Sequence, residues 1–293
     1  MTFFSWPLAI GYLILAPFIG GFFDGLDRKI SARMQGRTGP SVFQSFYDVS
    51  KLLQKESKMV NHLQQFLVCG FLVFVVFTGV LFFAGADLLM IFFALTLAGI
   101  FYVLQASSAN APFSALAVQR ELMQMMAYEP MVLLTAVGFY VVTGSFAVRE
   151  ISLADRSAIC LMPGFFLGFI FIMIIKLRKS PFDVSTGHHA HQEVVQGLNS
   201  DLSGPVMALV EVSHWYENVF LYGVIGLFIL NNQLWSVPVA LVVCFLVFFL
   251  EILIDNVCAR VKWQLMFRST WIFTIIAGVI NLLVLILFHL GVK

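Results

Sequence analysis

Carboxylates set in or beside apolar stretches are the residues in this sequence whose types and positions could do chemistry. Glu129 precedes a run of apolar residues from Met131, Glu211 lies shortly before another, and Glu251 and Asp255 stand near the end of a third. An ionisable group inside a membrane costs several kcal/mol unless it is paired or hydrated, which makes such residues functional candidates. Burial raises a carboxyl pKa and a neighbouring Arg lowers it, and that adjustability is what a proton relay requires. The plainer reading is a structural ion pair, such as Arg120 with Glu121 or Glu129, since polar seams in helix bundles hold such pairs too.

A second candidate is the run Gly187-His188-His189-Ala190-His191-Gln192-Glu193. On a helix, His188 and His191 share a face with Glu193 nearby, a donor set that suits a transition metal. Histidine also titrates near neutral pH and both donates and accepts hydrogen bonds, which suits a proton relay or an interface contact equally well. Haem finds no such support, because neither His62 nor His289 has an evident partner on a facing helix. The cysteines Cys69, Cys160, Cys244 and Cys258 stand far apart, without the spacing of a zinc or iron–sulfur site. No redox centre is therefore expected in this chain. The Phe residues form no spaced box, and Met123, Met125 and Met126 around Gln124 read as deformable packing.

The elements that must position these groups follow from composition. Of 293 residues 60% are hydrophobic and 11% charged, against about 25% charged in an ordinary soluble domain, so a soluble globule is excluded. A net charge of +1 gives no global field for a nucleic acid. A helix needs about 20 apolar residues to cross a bilayer, and lipid leaves the backbone no partners but its own, so the expected fold is an all-α integral membrane bundle. Eight spans are expected, near Leu8 to Phe23, Phe66 to Phe83, Leu88 to Leu104, Met131 to Val148, Leu161 to Ile175, Val219 to Leu230, Val237 to Ile254 and Trp271 to Leu290. The first run lacks a basic leader and a cleavage site, and reads as a retained helix. Two long connections, Asp24 to Gln65 and Lys176 to Tyr216, complete a single membrane domain over residues 1–293.

Eight spans place all but Arg149, Arg156 and Lys293 of the 17 Lys and Arg on one side. Positive charge gathers on the cytoplasmic side, so the long connections are expected there and both termini outside. Within the first connection Val42, Phe43, Phe46, Tyr47, Val49 and Leu52 recur at near-helical spacing, which predicts an amphipathic helix on the membrane surface or packed on the bundle.

The stretch Asp27-Arg28-Lys29-Ile30-Ser31-Ala32-Arg33-Met34-Gln35-Gly36-Arg37-Thr38-Gly39-Pro40, followed by Asp48, Lys51-Leu52 and Lys55-Glu56, resembles the eight-helix membrane subunit shared by respiratory complex I and energy-converting nickel–iron hydrogenases. The likeness recurs at Arg120, Gln124, Tyr128 and Glu129, at Glu193, Gly197, Asp201 and Ser203-Gly204, and at Arg260, Lys262 and Gln264-Leu265-Met266. Complex I members carry an acidic run in the second long loop. Here Ser180-Pro181-Phe182-Asp183-Val184-Ser185-Thr186-Gly187 leads into histidines, which is similar to the Ech-type and formate-hydrogenlyase branch. The family's later loop glutamate is His214 in this chain, with Glu211 one turn earlier.

The resemblance implies a multi-pass subunit of a prokaryotic inner membrane that anchors a soluble redox module and couples it to H⁺ or Na⁺ movement. Glu129, Glu121, Asp183, Glu193, Asp201, Glu211 and Glu251 are the implied relay. Asp27, Arg28, Arg33, Arg37, Asp48, Lys51, Arg120, His188, His191 and His214 are the implied docking residues. Implied partners are the large and small subunits of a [NiFe] hydrogenase, an iron–sulfur subunit and an antiporter-like membrane subunit. The [NiFe] centre and [4Fe-4S] clusters would sit in those partners, fed by ferredoxin or another low-potential donor. The competing expectation is a complex I subunit enclosing a quinone tunnel between the first, sixth and seventh helices. A stand-alone secondary transporter would carry two related halves, and no such internal symmetry is evident.

Overall fold

The computed structural model describes residues 4–57, 61–109, 111–182, 185 and 196–291. It is all-helical, and no strand occurs among the described residues beyond an isolated bridge between Asp87 and Ala147. Among the described residues six helices are long and apolar enough to cross a membrane: α1 (Trp6–Met34), α3 (His62–Ala84), α4 (Leu88–Ser107), α5 (Pro112–Thr143), α10 (Ser236–Val257) and the rod Trp263–Leu287. The last is α11 (Trp263–Phe273), a wider turn over Thr274–Val279, and the start of α12 (Ile280–Gly291). Beside them lie α8 (Pro163–Lys176), with 14 residues, and α9 (Gly204–Leu227), which carries Glu211, His214 and Glu217. The surface helix α2 (Gln44–Leu53) and the short α6 (Val148–Ile151) and α7 (Ala158–Leu161) fill the connections.

Local sequence sets the helix ends. The Asn61 side chain accepts a hydrogen bond from the Leu63 amide at 3.0 Å and opens α3. That helix closes on Gly85, whose φ of 87° is left-handed and costs glycine nothing. Prolines near the first turns of α1, α5, α8 and α9 sit where no amide donor is needed.

The last rod begins at Trp263 instead of Trp271, and three helices depart further from the expected spans. α1 runs past Phe23 to Met34, α5 begins at Pro112 instead of Met131, and α9 begins at Gly204 instead of Val219. In each case the added turns carry charged or polar residues that face other protein elements. A hydropathy criterion registers contact with lipid and misses helix buried against protein. The amphipathic segment in the first connection is α2, whose Val49 is buried and whose neighbour Phe46 places its ring 5.2 Å from that of Trp215 on α9.

Hydrogen bonds sort the connections to the two ends of the bundle. At one end, the Ser5 amide donates to the Phe83 carbonyl, the Ile159 amide to the Phe228 carbonyl and the Asn232 amide to the Ala154 carbonyl. At the other, the Gln35 side chain donates to Asn256, the Gln105 side chain to the Leu198 carbonyl, and the Val261 amide to the Pro181 carbonyl. The motif-bearing segments 24–57, 176–182 and 196–204 thus meet at one end. Close approach there depends on small residues, as in membrane helix packing generally. A Cβ on Gly25 would lie 1.8 Å from the Val42 carbonyl oxygen, so only glycine lets the first connection cross α1.

Candidate functional site

The C-terminal turn of α8 delivers three cations to that end of the bundle. Cations are favoured at a helix C-terminus, where the unpaired carbonyls carry partial negative charge. Arg178 takes a left-handed φ of 53° just after the helix, and the residues on either side of it reach different partners. Lys176 Nζ lies 2.8 Å from Glu217 of α9, and Lys179 Nζ 3.0 Å from Asp27 of α1 and 3.9 Å from Glu251 of α10. Arg178 itself donates to Glu121 of α5 at 2.8 Å.

These pairs line or adjoin a polar cavity of about 300 Å³, to which Asp24, Asp27, Tyr102, Lys176, Arg178, Lys179, Asn199, Glu211, His214, Glu217 and Tyr222 contribute. Arg178 is held from several directions. Its guanidinium lies 4.6 Å over the Tyr102 ring, and a nitrogen of the His214 ring is 3.1 Å away. Burial works against the Arg178 charge, but Glu121 beside it, with Tyr102 and Glu217, more than compensates and raises its pKa above the ordinary guanidinium value. Glu121 also accepts from Ser185 at 2.5 Å, and Tyr102 donates to Asn199 at 2.9 Å. His214 and Glu217, three residues apart on one face of α9, approach to 3.3 Å. An unbroken run of polar contacts therefore joins two acids and three bases in the order Glu121, Arg178, His214, Glu217, Lys176.

Two smaller features flank this sequence. Tyr222 donates to Glu251 at 2.7 Å, and Glu251 is fully buried. Glu129, half-buried on α5, shares a cavity of about 40 Å³ with Thr96, Tyr128 and Lys176. An apolar groove of about 450 Å³ runs between α1, α9 and α10, and Phe23 and Tyr222 line both it and the polar cavity.

The sequence-predicted residues divide by position. Glu121, Glu211, Glu251, Asp27 and His214 converge on the cavity and its walls. Glu129 stands to one side, joined to the cavity through Lys176. Arg28 pairs with Asp24 at 3.0 Å and with Asp48 at 2.9 Å on the outer surface, where Arg33, Arg37 and Lys51 are exposed. Arg37 bonds to the Gln35 side chain, and Asp201 is exposed in the turn before α9. Asp183, His188, His191 and Glu193 lie outside the described residues. Among the described residues no cluster of His, Cys, Asp or Glu could hold a metal.

The pairing of Arg120 with Glu121 or Glu129 does not form as the plainer reading expects. Glu121 pairs with Arg178, and Arg120 lies 4.7 Å over the Trp263 ring. Adjacent residues of a helix point about 100° apart, so Arg120 and Glu121 reach different neighbours. Residue type and spacing do not single out Glu217, Lys176, Arg178, Lys179, Tyr102 or Tyr222 as site residues. Glu217 is legible as an acid between Tyr216 and a run of apolar residues once the sixth helix is started one turn earlier.

Three comparisons bear on this arrangement. The family model described as NADH dehydrogenase matches residues 8–286. Hydrogenase-4 component C of Escherichia coli (strain K12) is 26% identical, over 93% of this chain and 92% of that one. Formate hydrogenlyase subunit 4 of the same strain is 24% identical over 91% and 94%, and a subunit of the NADH-quinone oxidoreductase of Methylococcus capsulatus is 26% identical over 92% and 93%. The fold is shared with a chain of the membrane-bound sulfane sulfur reductase, an archaeal respiratory membrane complex. The two agree with a TM-score of 0.82 at 20% identity, over 94% of this chain and 98% of that one.

Proposed function

The chain belongs to the NADH dehydrogenase family of membrane subunits, shared by complex I and group 4 hydrogenases, and from that membership we propose that it is the anchor and coupling subunit of an energy-converting [NiFe] hydrogenase complex. Counting α8 and α9 as spans gives the eight-helix topology, with the end that carries segments 24–57, 176–182 and 196–204 toward the cytoplasm. The exposed basic residues Arg28, Arg33, Arg37 and Lys51, with the histidine segment, dock a soluble module holding the [NiFe] centre and iron–sulfur clusters. Electrons from ferredoxin or another low-potential donor reduce protons there.

The observation that carries the coupling role is the buried sequence Glu121, Arg178, His214, Glu217 and Lys176, which begins at the polar cavity and ends beside Glu129. A charge change at the docked centre alters which acid each base prefers, because members of a buried network in a low-dielectric setting feel one another strongly. Successive re-pairing passes that change across the bundle toward an antiporter-like partner that moves H⁺ or Na⁺. Glu211, which lines the cavity, and Glu251, which adjoins it, supply further protonation sites, and Asp183, Glu193 and Asp201 complete the relay set.

Two experiments test this. Mass spectrometry of the gently solubilised complex should identify a nickel-site subunit beside this chain. Glu129→Gln, which keeps shape and removes the titrating charge, should assemble and evolve hydrogen from a reduced dye yet lose ion transport in vesicles; undiminished transport would overturn the relay. A second reading, a quinone-linked oxidoreductase subunit, is favoured by the apolar groove that meets the polar cavity at Phe23 and Tyr222 between α1, α9 and α10. A copurifying quinone, or inhibition by quinone-site ligands, would select it.

A further inference from the structure

The three bases at the end of α8 differ in the acids they can reach. Lys176 meets Glu217 and Arg178 meets Glu121, each at 2.8 Å. Lys179 has two carboxylates within 4 Å, Asp27 of α1 at 3.0 Å and Glu251 of α10 at 3.9 Å. These two acids sit in unlike surroundings. Asp27 lines the polar cavity with 22% of its side chain exposed, whereas the Glu251 side chain is fully buried. Of the Glu251 oxygens, Oε2 accepts from Tyr222 at 2.7 Å and Oε1 has no hydrogen-bond partner among the described residues. Folded proteins rarely leave a buried acceptor unfilled, and a buried carboxylate is costly without a cation against it.

The backbone of Lys179 is fixed on both sides, so only its flexible stem can carry the ammonium from one acid to the other. Its amide donates to the Ile174 carbonyl at 3.2 Å and its carbonyl accepts from the Phe182 amide at 2.9 Å. The next amide, that of Ser180, donates to Asp255 at 2.8 Å. Asp255 follows Glu251 by four residues, so one face of α10 carries both this backbone anchor and the second carboxylate. Asp27 is held as well: Ser31 donates to it at 3.3 Å and accepts from Asn256 at 3.0 Å. The ammonium lies 5.6 Å over the Phe248 ring, which attracts the charge without offering a fixed acceptor. Coulomb attraction falls as the inverse of distance, so Glu251 already pulls about three-quarters as strongly as Asp27.

We infer that Lys179 is a two-position cation, paired with Asp27 at the polar cavity and taken up by the open oxygen of Glu251 when the Asp27 charge is removed, and that Asp255 is the positioning residue that fixes the point from which both acids are reached. The move carries one positive charge from the cavity wall into the protein interior. It arrives beside the hydroxyl of Tyr222, whose ring lines both the polar cavity and the apolar groove. Lys176 and Arg178 have no such second acid within 4 Å among the described residues, so the choice belongs to Lys179. The inference takes its purpose from the coupling reading and its place from the geometry at the end of α8.

The test is reductive methylation of the assembled complex in native membranes, with the rate at Lys179 read by mass spectrometry against that at exposed Lys262. A base held by Asp27 alone is freed by Asp27→Asn and would react faster than in the parent. A two-position cation is captured by Glu251 and should react about threefold or more slowly, because only the neutral amine reacts and a buried carboxylate keeps it charged. Asp27→Ser repeats the comparison with a smaller side chain. Asp27→Asn combined with Glu251→Gln removes both acids and should react faster than the parent. In the Asp27→Asn background, Asp255→Asn keeps an acceptor for the Ser180 amide and should keep the slow rate, whereas Asp255→Ala should lose it. Faster labelling in Asp27→Asn and Asp27→Ser, or a combined variant no faster than Asp27→Asn, would overturn the two-position cation; equal rates for the two Asp255 variants would overturn the positioning role. Ion transport in vesicles is a separate readout: if Asp27→Asn labels slowly yet transports as the parent does, the coupling role fails and the two-position cation stands.

Discussion

Replacing Lys176 by methionine should destabilise the subunit by about 3–5 kcal/mol, and replacing Glu217 as well should return most of that loss. The ion pair is 2.8 Å long, with only 7% and 6% of the two side chains exposed. At an effective dielectric constant of about 20, opposite charges at that distance attract by roughly 6 kcal/mol. The attraction is offset by the several kcal/mol needed to strip water from each ion, so the intact pair contributes little net stability. Removing one partner deletes the attraction and keeps the other's desolvation penalty. Lys176→Met leaves Glu217 with His214 at 3.3 Å and with Arg178 beyond it, which places the loss toward the lower end of the range. The double variant Lys176→Met, Glu217→Met buries no charge at either position. Thermal denaturation of the detergent-solubilised complex would follow all four members of the cycle. Single variants as stable as the parent, or a double variant whose loss is the sum of the two, would refute the reasoning. The double variant should remain inactive in transport, since stability without titrating groups does not restore a relay.

Other expected outcomes concern the loops, the groove and the cavity. Gly25→Ala drives a Cβ against the Val42 carbonyl oxygen, so α2 should leave its seat; faster proteolysis between residues 35 and 55 would show it, and an unchanged digestion pattern would refute it. Arg37 is exposed, so Arg37→Ala should change stability by no more than about 0.5 kcal/mol while membranes lose the soluble module; full retention of the module would count against its docking role. A Cβ on Gly226 meets nothing within 4 Å in the apolar groove, so Gly226→Leu should fold, fill the groove and leave hydrogen evolution unchanged; loss of a quinone-dependent activity would favour the second reading instead. Arg178→Lys should retain one charge yet lose much of coupled transport, because an ammonium cannot stack on Tyr102 while bridging Glu121 and His214.

Much of the fold is legible along the chain because lipid imposes one strict requirement, that backbone groups bond within their own helix. The apolar runs of α3, α4 and α10 follow from that requirement alone. α1 beyond Phe23, α5 before Met131 and α9 before Val219 do not, since Asp27, Arg28, Glu121 and Glu217 are helical only where other helices or polar cavities receive them. The candidate site follows the same division. Glu129 and Glu251 stand out as acids in apolar surroundings, and Glu121 stands out by its place near the motif residues. Lys176, Arg178 and Lys179 read in sequence as a basic patch at the end of a helix, and nothing in their order says that each turns to a different carboxylate.

Residue order alone establishes the membrane setting, the all-helical class and the family likeness, because each rests on residue type and spacing along one dimension. Which charges meet is set by the folded arrangement. Asp27, Glu121, Glu217 and Glu251 come from four helices far apart in the chain, and three bases at the end of α8 reach all four, with Lys179 between Asp27 and Glu251. Ion pairing depends on separation in space, and a one-turn change in where a helix starts turns a side chain toward a cavity or toward lipid.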